Sequence, residues 1–208
     1  MTVAALFVAD SGPYCALPGV DPWDEARDAR TYQGPWPVVA HPPCERWGRY
    51  WSGGPNPKAK RRLLGDDGGC FASALNSVRS YGGVLEHPAY SHAWAHFNLP
   101  RPPRSGGWVT DGVGWACHVE QGHYGHRARK ATWLYAVRTQ RPDLLWGPVE
   151  AKVRMEEGFH SREERVAMRA AGHQPIQRMN VKERMATPLP FRDLLLEMAR
   201  SVRADGSE

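Results

Sequence analysis

The chain has 208 residues, 41% hydrophobic and 24% charged, which excludes a largely disordered chain and suffices for a core without disulfide or metal staples. Glycine (21) and proline (18) make up nearly a fifth of it, the formal net charge is a mildly basic +5, and no apolar run reaches the length of a membrane span. The start has no basic leader segment, and the four cysteines (Cys15, Cys44, Cys70, Cys117) are widely spaced, which together read as a cytoplasmic chain with free thiols.

An apolar strand is expected over residues 3–9, closed by Asp10-Ser11-Gly12-Pro13. A loop of Pro, Gly and Asp follows, then a short strand over 37–40 stopped by His41-Pro42-Pro43-Cys44. Residues 53–60 read as a polar loop. Residues 70–81 have helical periodicity, with Phe71, Leu75 and Val78 on one face and Gly82-Gly83 as the stop. Val84-Leu85 predicts a strand ended by Glu86-His87-Pro88, residues 90–97 a short helix, and 99–114 a loop. Strands are expected over 115–119 and 132–137, with the polar segment 120–130 between them. Residues 142–158 read as irregular and 163–171 as a short helix. Thr187 as N-cap and Pro188 at the first helical position predict a closing helix to about Arg203, with Phe191, Leu194, Leu195 and Met198 inward. Apolar strands alternating with helices argue for one layered α/β domain.

The charge is clustered. Arg46, Arg49, Lys58, Lys60, Arg61 and Arg62 form one acid-free stretch. Arg127, Arg129, Lys130, Arg138 and Arg141 form another. Both are interleaved with aromatic residues (Trp47, Tyr50, Trp51, Trp133, Tyr135), a pattern that fits a polyanion-binding face with groups for stacking. The alternative is a solvated surface over core aromatics.

Three predicted strand ends carry polar residues: His41 to Cys44, Glu86 to Pro88, and Gln121 to Lys130. In open α/β sheets ligands bind outside the carboxyl ends of strands, so the three clusters are expected to converge. Pro42-Pro43 holds the Cys44 thiol on a stiff loop, and Arg46 or His41 could favour its thiolate. A thiolate can add to C6 of a pyrimidine and make C5 nucleophilic. A carboxylic acid at N3 stabilises the adduct, and an arginine can hold the base O2 or a phosphate. Cys44, Glu86, Arg127 and Arg129 are candidates for these roles. Each cluster also has an ordinary alternative: a buried thiol, a strand stop, surface arginines.

In this order, Pro43-Cys44, Glu86-His87-Pro88, Tyr124-Gly125-His126-Arg127-Ala128-Arg129 and the closing Thr187-Pro188 segment resemble the DNA (cytosine-5) methyltransferase family, with His87 where the family has Asn. The resemblance implies a Rossmann-like methyltransferase-type sheet with helices on both faces, truncated at its N-terminal βα unit. It implies Cys44 as nucleophile, Glu86 as the N3 acid, and Arg127 and Arg129 on the base or phosphate. It implies S-adenosylmethionine as donor, held near Ser11, Gly12, Asp21, Asp28 and Pro42. It also implies DNA as substrate, met by Arg46, Trp47, Arg49, Lys58, Lys60, Arg61, Arg62, Tyr124 and Lys130. Two features depart from the family. Its glycine-rich first motif is here Asp10-Ser11-Gly12-Pro13-Tyr14, with too few residues before Asp21 for a helix and a strand. Its target-recognition domain is replaced by at most residues 142–182, an insertion in a catalytic domain of 1–141 and 183–208. So compact an enzyme suits a phage, acting in the host cytoplasm. Two other functions remain open: a DNA-hypermodification enzyme that uses no S-adenosylmethionine, and a non-catalytic nucleic-acid-binding relative.

Overall fold

The computed structural model describes residues 1–53 and 62–151, positions 153, 155, 166–167 and 169–172, and residues 179–203. The strands β1 (Val3–Leu6), β2 (Val20–Trp23), β3 (Val38–Ala40), β4 (Gly83–Pro88), β5 (Trp108–Thr110), β6 (Trp115–Glu120) and β7 (Ala131–Val137) form one sheet in the order β2-β1-β3-β4-β7-β6-β5. The first four run parallel, and β7, β6 and β5 each pair antiparallel with their neighbour.

The sheet is covered on both faces, so its central strands read as unbroken apolar runs rather than alternating ones. Leu6, Ala40, Leu85 and Tyr135 point to the side of α1 (Cys70–Tyr81) and α2 (His92–His96). Val3, Ala5, Val39, Val84 and Leu134 point to the side of the C-terminal helix. The last helices are α3 (Val181–Met185) and α4 (Leu189–Arg200), and α4 buries Phe191, Leu195, Leu196, Met198 and Ala199 against the second face.

Local chemistry sets the element ends. The residues expected for α1 form it, with Phe71, Ala74, Leu75 and Val78 buried. Its N-cap, Gly69, offers no side chain, so Asp67 accepts the backbone N–H groups of Gly69 and Phe71 instead. β1 ends earlier than expected because Phe7 turns to a left-handed φ of 59°. The closing helix starts at Leu189. Pro188 itself is extended (φ −58°, ψ 142°) at the cap, so Thr187 does not hold that position. α3 was not expected; Asn180 and Glu183 cap each other reciprocally there.

β2 and β5, expected as loops, are the two edge strands of the sheet. An edge strand has one unpaired side, which is why β2 can carry Pro22. The parallel β1 and β2 are joined by residues 7–19 without a helix. Residues 54–60, and residues 163–165 and 168 of the helix expected over 163–171, lie outside the described residues. Among the described residues, no helix is long and apolar enough to cross a membrane.

Gly83 opens β4 at φ 122°, and a Cβ there would stand 1.9 Å from the Val38 carbonyl oxygen of β3. The obstacle is backbone in the middle of the sheet, so it cannot swing away. Gly83→Ala should destabilise the protein by at least ~3 kcal/mol, read as a lower urea midpoint at unchanged slope.

Candidate functional site

Ala40 of β3 pairs with Leu85 of β4, so the next residue of each strand, His41 and Glu86, emerges beside the other on the α4 face of the sheet. This edge adjoins a topological switch point, because β1 is flanked by β2 on one side and β3 on the other. The reversal of β7 brings its first residues and the end of β6 to the same edge. The three polar strand ends anticipated from the sequence therefore meet.

Glu86 is the centre of the cluster. His41 Nδ1 lies 2.9 Å from Glu86 Oε2, and Gln121 Nε2 donates to Glu86 Oε1 at 3.2 Å and to Thr132 Oγ1 at 3.0 Å. On the far side of the imidazole, the hydroxyl of buried Tyr14 is 2.8 Å from His41 Nε2. An ionised carboxylate only accepts, which places a proton on Nδ1, and the Tyr14 hydroxyl bonds the other ring nitrogen. Burial by itself would raise the Glu86 carboxyl. The hydrogen bond and charge of His41, with Lys130 and His87 adding to it, outweigh that and hold it below the ordinary carboxylate range.

Cys44 follows Pro42 and Pro43 into a turn closed by the Trp47 and Gly48 N–H groups on its carbonyl. Burial pushes its thiol up, the Glu86 charge pushes it further, and Lys130 pulls against both. Lys130 stands before β7 at a left-handed φ of 44°, and its ammonium donates to the Ala186 carbonyl at 2.7 Å. Burial draws its ionisation down, while Glu86 and Cys44 draw it up. Cys44, Glu86 and Lys130 thus act electrostatically on one another.

The other anticipated residues are placed differently. Trp47 does not present a face for stacking. It is core, 2% exposed, with its indole N–H on Asp67, because the Cys44 turn folds the chain back over α1. Arg46 and Arg62 both pair with Glu45, and Arg49 is exposed. Lys58, Lys60 and Arg61 lie outside the described residues. Arg127 pairs with Glu183 of α3 and Arg129 is exposed. Tyr124 leans on Phe191 at 5.3 Å, its hydroxyl accepting from the Leu145 N–H. His87 is fully buried between Phe71 and Trp94, which lowers its ionisation to about 4.

Of the residues assigned to a donor, Asp21 and Asp28 are already held by neighbouring arginines. Asp21 accepts from the Trp23 indole N–H and from Arg27, which covers the Trp23 ring at 4.0 Å. Asp28 caps a 3₁₀ turn and holds Arg30 with both oxygens. Ser11 and Gly12 lie in a turn that no helix follows, so helix N–H groups are missing where an anionic group would be received. Pro42 is buried.

Two members of the cluster went unanticipated. Thr132 lies on the Glu86 face of the sheet by its register opposite Pro88, which strand alternation could have suggested. Tyr14 comes from an irregular loop and carries no local signal. The chain matches no protein-family model, no curated protein and no solved structure.

Alkylation of Cys44 by iodoacetamide, followed peptide by peptide by mass spectrometry, should titrate with a midpoint above the ordinary thiol value of about 8.5. Glu86→Gln removes the charge that opposes the thiolate and should lower that midpoint; Lys130→Met should raise it.

Proposed function

We propose that the protein activates a pyrimidine base of DNA for substitution at C5, with Cys44 as nucleophile and Glu86 as the group that serves N3. The observation that carries this reading is the meeting of a thiol and an ionised, twice-anchored carboxylate at adjacent ends of parallel strands, with the Lys130 charge acting on both.

The resting protonation states suit the first step. Cys44 carries its proton and Glu86 does not. As the thiol attacks C6, its proton passes to the Glu86 carboxylate and on to N3. The S–C6 bond forms, the C5=C6 pair moves to C5, and no proton is drawn from outside. His41 and Gln121 hold the carboxylate toward the base throughout, and Lys130 stabilises the anion on either partner. C5 then attacks an electrophilic carbon donor, whose leaving group takes the bonding pair. Water takes the C5 proton as its bonding pair forms C5=C6 and expels the Cys44 thiolate, and the N3 proton returns through Glu86 to that thiolate.

The Rossmann-like methyltransferase reading of the sheet draws support from the strand-end cluster beside the switch point. Bound S-adenosylmethionine would supply an electrophilic methyl group. Asp21 and Asp28, however, are already engaged by Arg27 and Arg30, and these residues do not fit that donor. This favours the second reading, a hypermodification enzyme whose donor is a different electrophile. Arg127 and Arg129, both exposed, are proposed to meet backbone phosphate.

DNA carrying 2-pyrimidinone, more electrophilic at C6 for want of the C4 amino group, holds the first adduct with no donor present. Wild-type protein should give a complex stable to denaturant, with the attachment mapped to Cys44, and Cys44→Ser should give none. Glu86→Gln should slow adduct formation by roughly 10²- to 10⁴-fold, the range for a positioned acid–base group. Wild-type attachment elsewhere, or none at all, contradicts the covalent step. Repeating the reaction on 5-fluorocytosine DNA with and without S-adenosylmethionine tests the donor.

A further inference from the structure

On the opposite face of the sheet from Glu86, Tyr90, Arg101, Pro102, Pro103, Arg104 and Val109 enclose an open cavity of about 510 Å³. No acidic side chain lines it. Tyr90 stands two residues beyond β4, held at a left-handed φ of 65°, and its side chain is largely exposed. Its ring is braced from behind by Trp133 at 5.3 Å and His118 at 6.0 Å. A large aromatic kept in a rarely populated backbone conformation, exposed on one side and backed on the other, is a rigid platform.

The cations belong to the same cavity. Arg101 lies 6.0 Å from the Tyr90 ring centre, and Arg104 is close enough to oppose the charging of His118. Among the described residues, no ion pair engages Arg101 or Arg104, in contrast to Arg46, Arg62 and Arg127. Behind the ring, His118 Nδ1 accepts from the Trp133 indole, and its buried Nε2 has no partner among the described residues.

We propose that this cavity binds one nucleotide of the DNA strand, its base against Tyr90 and its phosphate on Arg101 and Arg104. The proposal rests on the DNA reading above and deepens it. Glu86 and Tyr90 are four residues apart, at most ~13 Å along an extended chain, so a nucleotide here would neighbour the base that meets Cys44. The same strand would straddle the sheet edge, its target base on the α4 face and this neighbour on the α2 face. Stacking accepts any base, so the subsite adds affinity and holds the strand without reading sequence.

Fluorescence anisotropy with a 12-nucleotide single-stranded DNA, over a range of salt, separates the parts. Tyr90→Ala should weaken binding about tenfold with the salt slope unchanged, and Tyr90→Phe should stay within twofold of wild type. Arg101→Gln with Arg104→Gln should flatten the salt slope by about 1.4, two contacts at about 0.7 each for a single strand. Wild-type affinity and slope in all variants would overturn the subsite and leave the DNA reading standing. Failure of the wild-type protein itself to bind would overturn the DNA reading and the subsite with it.

Discussion

A carboxylate withdrawn from water must be paired, and in this fold that requirement falls on Glu86. The Ala40–Leu85 register delivers His41 to its side, and the end of β6 delivers Gln121 to its other oxygen. Everything at the site then follows from a carboxyl that stays ionised although only 13% of its side chain is exposed. It adds to burial in holding the Cys44 thiol protonated, draws on Lys130 as a nearby cation, and places a proton on His41 Nδ1, with the Tyr14 hydroxyl on the other ring nitrogen. One register shift between β3 and β4 would turn His41 and Glu86 to opposite faces and dissolve the cluster.

The scaffold that holds this arrangement is built from tight backbone approaches rather than long elements. β3 has three residues and β1 four, so their position depends on being flanked on both sides. Gly83 lets β4 lie against β3 at the lower end of the site strands. Asp67 ties the start of α1 to the Trp47 indole, and Trp47 in turn anchors the turn that presents Cys44. The aromatic that the sequence places among basic residues therefore serves the Cys44 turn from inside the core.

Elements with strong periodicity were legible in the sequence: α1 matches its expected residues, and β3, β6 and β7 lie within one residue of theirs. The edge strands were hidden because Pro22 and the glycines around β5 are loop signals to a reader who does not know which strands are edges. Cys44 and Glu86 could be named because stiff Pro-Cys and Glu-x-Pro strand ends carry recognisable chemistry. Charge alone reads Lys130 as part of a DNA-binding surface; that its charge also reaches Glu86 and Cys44 is something no count of basic residues shows. Tyr14 lies 27 residues from His41, a long-range pairing with no local sequence signal.

The proposed activation of a pyrimidine at C5 has a consequence that requires no donor. DNA deuterated at cytosine C5, incubated with the protein in ordinary water, should lose deuterium as C5 is reversibly protonated in the Cys44 adduct, and the washout should vanish in Cys44→Ser and fall in Glu86→Gln. Retention of deuterium by DNA that the wild-type protein demonstrably binds would contradict the account.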